Sequence, residues 1–182
     1  AGPEGKLDAG ALEREQHAAH GLAWLATYGE AVRELADYAE RLQSEGAFGE
    51  TEALLVKIGM GEYLDQIFGG IPMSQGEMVR PTSSLGFEAS ELAGFRTPAI
   101  EAVIAQGNTP ANRVALVARI REATSAGAAT IGASGLDEDM EAIRSEMRRF
   151  GKAEVVEQAH EWHLENAYIP MSIIEKMAEL GV

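Results

Sequence analysis

Hydrophobic residues recur in steps of three and four along the first quarter of the 182-residue chain. The positions that follow this spacing are Leu22, Leu25, Tyr28, Val32, Leu35, Tyr38 and Leu42. Such spacing places the side chains on one face of an α-helix. The pattern predicts a long helix that begins near Leu12 and ends at Gly46, because glycine is a common stop signal.

A second apolar face predicts a helix from about Gly49 to Phe68. Its predicted buried side chains are Leu54, Leu55, Ile58, Leu64 and Ile67. Gly59 and Gly61 lie inside this helix, where each costs about 1 kcal/mol relative to alanine. We expect a close contact with another helix as the compensation. Gly69-Gly70 ends the helix, and a loop with Pro72 and Pro81 at its ends follows.

Start signals and a run of small residues predict the domain boundaries. Thr97-Pro98 and Thr109-Pro110 each place a capping hydroxyl before a proline that suits the first helical position. The segment 125–135, Ser-Ala-Gly-Ala-Ala-Thr-Ile-Gly-Ala-Ser-Gly, is typical of a linker. We therefore expect a helical domain over residues 1–124, this linker, and a second segment over residues 136–182.

The second segment is also predicted to be helical. It begins with three acidic residues, 137–139, which favour the positive end of a helix dipole. One face of the following helix contains Met140, Ile143, Met147, Phe150, Ala159 and Trp162. Ile169-Pro170 is predicted to break this helix, and a last helix with Ile174, Met177 and Leu180 on one face follows. Since no alternating run of β-branched residues occurs, the sequence predicts an all-α fold.

Composition narrows the class of protein. Hydrophobic residues make up 46% of the chain and charged residues 24%, which favours a folded domain over a disordered one. A net charge of −14 disfavours nucleic acids and anionic membranes as partners. Cysteine is absent, which excludes disulfides and thiolate chemistry. With no apolar run of about 20 residues, the sequence predicts no membrane span, and we expect a cytoplasmic protein.

The four histidines form two pairs with helical spacing, His17-x-x-His20 and His160-x-x-His163. Glu157 precedes His160 by three residues, which matches one half of the carboxylate-bridged dimetal motif of ferritin-like bundles. The second half is missing, because Arg14 stands at that distance before His17. We therefore expect no metal site and interpret the histidines as exposed residues of helix surfaces.

The candidate binding loop is Gln66-Ile67-Phe68-Gly69-Gly70, with Glu77 and Arg80 after it. Two adjacent glycines allow a backbone to approach a ligand closely, and exposed amides can hold an anion. A simple helix stop is the alternative, and the physics alone favours it.

In this order of elements the first domain resembles the C-terminal helical domain of acyl-CoA dehydrogenases. In that family a long helix and a second helix lead into a Gln-x-x-Gly-Gly loop, followed by a glutamate and an arginine. The family's loop lies against FAD. The resemblance therefore implies that Gln66, Gly69 and Gly70 contact a flavin dinucleotide.

The second segment resembles the opposite terminus of the same family, namely its two opening helices. The matching positions are Phe150, Val155-Val156, Ala159, Ile169-Pro170, Ile174 and Leu180-Gly181. The order implies an N-terminal helical extension joined to the start of a dehydrogenase domain. That arrangement is similar to family members that act on branched short-chain acyl-CoA in the ethylmalonyl-CoA pathway.

The resemblance implies a complete protein that oxidises an acyl-CoA to the enoyl-CoA with FAD and an electron-transferring flavoprotein. It places the glutamate that takes the α-proton beyond Val182, so we assign no catalytic residue. The chain itself is expected to be structural and to hold flavin weakly or not at all. Apolar stripes on its first helix and on the Met140–Trp162 helix predict a homo-oligomer. The alternative is a stand-alone helical oligomerisation or adaptor module, which a stop codon after Val182 would indicate.

Overall fold

The computed structural model describes residues 8–128 and 130–181 and divides the chain into two compact units, Ala1–Gly135 and Leu136–Val182. The helices of the first unit are α1 (Ala9–Arg14), α2 (Gln16–Ser44), α3 (Glu50–Gly69), α4 (Pro81–Leu85), α5 (Ala89–Phe95), α6 (Pro98–Gln106) and α7 (Pro110–Ser125). A short hairpin of β1 (Ile71–Ser74) and β2 (Glu77–Val79) lies between α3 and α4. The fold is otherwise helical, so the predicted fold class is confirmed.

Helices α2 and α3 pack against each other, and α3 also packs against α6 and α7. Leu42 of α2 is 1% exposed, and Leu54 and Val56 of α3 are also buried. Leu22 was expected on the buried face of α2, but its side chain is 56% exposed. The buried position in that turn belongs to Gly21 instead.

The glycines inside α3 make the close helix contacts that the sequence predicted. A Cβ added to Gly59 would lie 2.9 Å from Leu35 Cδ1 of α2. One added to Gly61 would lie 2.6 Å from the backbone nitrogen of Asn108, next to Gly107. Only residues without a side chain allow α3 and the end of α6 to approach this closely.

The predicted first helix is divided in two. Its start lies at Ala9, where Asp8 Oδ1 accepts hydrogen bonds from the backbone nitrogens of Gly10 (2.9 Å) and Ala11 (3.1 Å). Glu15 separates α1 from α2 with a non-helical backbone, φ −111° and ψ 32°. The apolar spacing did not reveal this break, because one distorted residue hardly changes the pattern.

The two threonine–proline start signals are confirmed. Thr97 Oγ1 accepts from the backbone nitrogen of Ile100 at 3.3 Å, and Thr109 Oγ1 accepts from Asn112 at 3.2 Å. The prolines that follow the two threonines occupy the first positions of α6 and α7. Each cap satisfies a backbone donor that the first helical turn would otherwise leave unpaired.

The hairpin is a departure from the predicted loop between Pro72 and Pro81. Its strands are antiparallel, and Ile71 pairs with Val79. Both of these side chains are fully buried. Strands of four and three residues are too short to show an alternating pattern in the sequence. The buried pair stabilises the hairpin by packing against the helices. Val79 packs over Gly21 of α2, where an added Cβ would lie 3.1 Å from Val79 Cγ1.

The second unit consists of α8 (Glu138–Phe150), a π-helical turn (Gly151–Val156), α9 (Glu157–Leu164) and α10 (Met171–Glu179). The acidic start is confirmed, since Asp137 caps α8 by accepting from Met140 N at 2.8 Å. The helix was expected to continue to Ile169-Pro170, but it ends at Leu164. Asn166, with φ 52°, adopts the left-handed backbone that terminates it.

Contacts inside this unit join its helices. Lys176 of α10 donates to Glu154 of the π-helical turn at 2.6 Å, and Ile173 is the buried anchor of α10. Among the described residues, no helix combines the length and the apolar character that crossing a membrane requires.

Candidate functional site

The two glycines of the candidate loop lie in different surroundings. Gly70 is buried, has φ 140°, and donates its backbone N–H to the Gln66 carbonyl at 2.7 Å. A Cβ added there would lie 2.5 Å from Met78 Sδ of β2. Gly69 is exposed, and an added Cβ would meet nothing within 4 Å. The hairpin therefore covers Gly70, and Gly69 is the open residue of the pair.

The oxygen and the nitrogen of the Gln66 side-chain amide each form a hydrogen bond. Tyr28 Oη of α2 donates to Gln66 Oε1 at 2.8 Å, and Gln66 Nε2 donates to Glu62. Burial, followed by the neighbouring Tyr63 and Glu62, raises the pKa of Tyr28, so its hydroxyl keeps the donor proton. The rings of Tyr28 and Tyr63 also meet edge to face, with centroids 4.9 Å apart.

The network continues from Glu62 to the connection between α6 and α7. Asn108 Nδ2 donates to Glu62 Oε2, and Arg113 Nε donates to Asn108 Oδ1 at 2.5 Å. The Arg113 guanidinium also lies 3.6 Å from Glu62 Oε2. Gln66 and Glu62 thus join three helices, and their polar atoms face partners of the same chain.

A flavin dinucleotide at this loop would need hydrogen-bond donors or a cation for its pyrophosphate. The Gln66 oxygen accepts from Tyr28 and one of the Gln66 N–H groups binds Glu62, whose charge is compensated by the Arg113 guanidinium. Glu77, which follows the loop, pairs with His17 Nδ1 at 2.9 Å. Arg80, the arginine that follows the loop, is exposed, and its Cγ would lie 3.4 Å from a Cβ added to Gly70. The loop therefore has one exposed cation beside Gly70, whereas Gln66 and Glu77 are held by partners of the same chain. Contact of Gln66, Gly69 and Gly70 with flavin stays a prediction.

The histidines do not come together as a metal site. His17 lies beside Glu77, and His20 Nε2 accepts from Trp24 Nε1 at 2.9 Å. His160 and His163 both belong to α9. Within residues 8–128 and 130–181, no group of three or more potential metal-ligating side chains occurs.

Sequence reasoning missed a buried carboxylate, that of Glu52. It is 7% exposed, and it accepts from Gly49 N at 3.0 Å and from Ala133 N at 2.7 Å. Burial by itself would raise its pKa, but the hydrogen bonds from backbone amides outweigh burial and hold the pKa below the ordinary value. The spacing of Gly49 and Glu52 signals a helix cap. Nothing in the sequence signals the partner 81 residues away.

Comparison with known proteins adds two findings. Residues 137–182 match the family described as acyl-CoA dehydrogenase, N-terminal domain. Over 179 residues, or 98% of its length, the chain is 50% identical to a (2S)-methylsuccinyl-CoA dehydrogenase of Cereibacter sphaeroides. The chain spans 31% of the length of that protein.

The family match confirms the resemblance of the second unit to the opening of a dehydrogenase domain. The relative extends the similarity across the first unit, although that unit's likeness to a C-terminal helical domain stays a prediction. On these two matches, the chain is similar to acyl-CoA dehydrogenases, over residues 137–182 by the family match and over 98% of its length by this relative.

Proposed function

We propose that this chain is the N-terminal part of a flavin-dependent dehydrogenase that oxidises a branched short-chain acyl-CoA, with 2-methylsuccinyl-CoA as the expected substrate. The observation that carries the proposal is the 50% identity, over 98% of this chain, to a relative with that named activity. A flavin bound elsewhere in the complete protein would supply the hydride acceptor. An electron-transferring flavoprotein would receive the electrons.

The role proposed for these residues is structural. In the first unit, the polar side chains of the candidate loop bind one another and hold three helices together. Even free backbone amides at a loop would contribute only about 0.5–1.5 kcal/mol each. Immobilising a ligand costs about 4–15 kcal/mol, so a few amides do not retain a dinucleotide. We propose that the isolated chain has no catalytic activity.

Self-association in the cytoplasm is the state that we propose for this chain. Exposed apolar side chains on α8, Met140 at 49% and Ile143 at 55%, support a protein partner for that helix. Leu22 of α2 is exposed to a similar degree. Light scattering of the purified chain should show an oligomer. A monomer at high micromolar concentration that binds no hydrophobic dye would contradict self-association.

The substrate proposal is tested by steady-state kinetics of the complete protein with an artificial electron acceptor. We expect kcat/KM for 2-methylsuccinyl-CoA to exceed that for butyryl-CoA by at least about tenfold, because a pocket that pairs a substrate carboxylate rejects an analogue without it. A preference for butyryl-CoA would contradict the proposed substrate but not the proposed acyl-CoA dehydrogenase activity. No oxidation of any acyl-CoA would overturn the activity itself.

A further inference from the structure

The second half of the predicted linker is held on the first unit by a buried polar contact. Ala133 donates its backbone N–H to Glu52 Oε1 of α3 at 2.7 Å. The carbonyl oxygen of the same residue accepts from Tyr38 Oη of α2 at 2.7 Å. Both backbone groups of one linker residue are thus satisfied by side chains of two different helices.

The glycines on either side of Ala133 allow this close approach. Gly132 and Gly135 have φ values of 77° and 66°, a backbone conformation that favours glycine. A Cβ at Gly132 would lie 3.1 Å from Leu55 Cδ1, and one at Gly135 would lie 3.1 Å from an Arg41 guanidinium nitrogen. The small residues of the segment therefore serve close packing and two left-handed turns, in addition to any flexibility.

The Glu52 carboxylate makes the contact specific. Its other oxygen, Oε2, accepts from Gly49 N at 3.0 Å and caps the start of α3. A buried carboxylate needs such donors, because burying a charge without hydrogen bonds is strongly unfavourable. If the linker leaves, Glu52 loses one of these donors. The Glu52 side chain therefore both caps α3 and binds the linker.

We propose that Tyr38 and Glu52 form a latch that fastens residues 131–135 to α2 and α3. The latch turns the second half of an apparent 11-residue tether into part of the first unit. Only Leu136 then separates the last latched residue, Gly135, from Asp137, which caps α8. The latch is a positioning device, and neither side chain takes part in the proposed chemistry.

Amide hydrogen exchange of the full chain tests the latch, with Tyr38→Phe as the main variant. This change removes the hydroxyl that binds the Ala133 carbonyl and leaves the Glu52 cap in place. We expect exchange of the Ala133 amide to accelerate by about 3- to 10-fold, the effect of one lost hydrogen bond. Tyr168→Phe is the matched control, because Tyr168 is 96% exposed. It should leave the exchange rate unchanged.

Digestion with elastase, which cuts after small residues, supplies a second measurement. The small residues between 125 and 135 are its natural targets, and we expect Tyr38→Phe and Glu52→Gln to be cut there faster than wild type. Glu45→Gln, at an exposed position, is the control for the second variant. If Glu52→Gln fails to fold, Tyr38→Phe decides the outcome alone. Unchanged exchange and cleavage in a folded Tyr38→Phe variant would overturn the latch.

Discussion

At the scale of single residues, two adjacent glycines at the end of α3 have different roles. Gly70 combines a positive φ with a wall formed by Met78, whereas nothing lies near the missing side chain of Gly69. The sequence shows only that two glycines follow a helix. Which of them is sterically required depends on a hairpin that the sequence did not reveal.

Alanine substitutions are expected to separate the two glycines. Gly70→Ala should lower the free energy of unfolding by about 1–3 kcal/mol, because the backbone is strained and Met78 must move. Gly69→Ala, the matched control, should be neutral or stabilise the chain by up to about 1 kcal/mol through helix propensity. Urea denaturation measures both changes. Equal effects at the two positions would contradict the different roles.

The buried Glu52 predicts a dependence of stability on pH. Its native pKa lies below the ordinary value of 4.5, so its contribution to stability is fully present above pH 4.5. The contribution is lost as the pH falls through the lowered native pKa. Tyr38 of α2 lies at the same site, and burial raises the pKa of its hydroxyl, so Tyr38 stays neutral in this range.

Unfolding free energies of wild type and Glu52→Gln, measured from neutral pH downwards, check this dependence. The difference between the two proteins should be largest at neutral pH and should shrink below pH 4.5. Two curves that stay parallel over the whole range would show that the carboxylate charge does not contribute.

At the scale of elements, the crossing of α3 with the end of α6 depends on two backbones in contact. A Cβ at Gly107 would lie 2.4 Å from the carbonyl oxygen of Lys57, and one at Gly61 would lie 3.0 Å from Gly107 Cα. Backbone atoms cannot move aside as flexible side chains do. The helices must therefore separate if either glycine gains a side chain.

Gly61→Ala is expected to destabilise the chain by about 2–4 kcal/mol, through overpacking at this crossing. Gly29→Ala is the matched control, since Gly29 lies in α2 with nothing within 4 Å of an added Cβ. Its free energy of unfolding should rise by up to about 1 kcal/mol, because alanine has the higher helix propensity. Thermal unfolding followed by circular dichroism measures both variants, and a neutral Gly61→Ala would show that the crossing is not tightly packed.

The elements that could be predicted from the sequence are those with a repeated local signal. Long helices contain many turns of apolar spacing. Thr97 and Thr109 each precede a proline, and this pair of residues indicates the start of a helix. The hairpin has seven strand residues and depends on burial beneath α2 and α4. The contact between Tyr38 and Ala133 spans 95 residues. Such long-range contacts leave no periodic trace in the sequence, which is why the loop partners and the docked linker were missed.

At the scale of the whole molecule, the two units differ in what they contain. The first unit has a network of polar contacts around Gln66, and the second matches the N-terminal domain of acyl-CoA dehydrogenases. A flavin site formed by the first unit alone would need free polar side chains at the loop. Gln66 and Glu62 are paired within the chain instead, which supports the structural role that we propose for the first unit.

Flavin content of the purified chain tests this account most directly. Incubated with excess FAD and passed through a desalting column, the chain is predicted to emerge without visible flavin absorbance, while the complete protein treated in the same way retains flavin. A yellow chain that keeps one flavin per polypeptide would contradict the account, because it would show that these residues form a flavin site on their own.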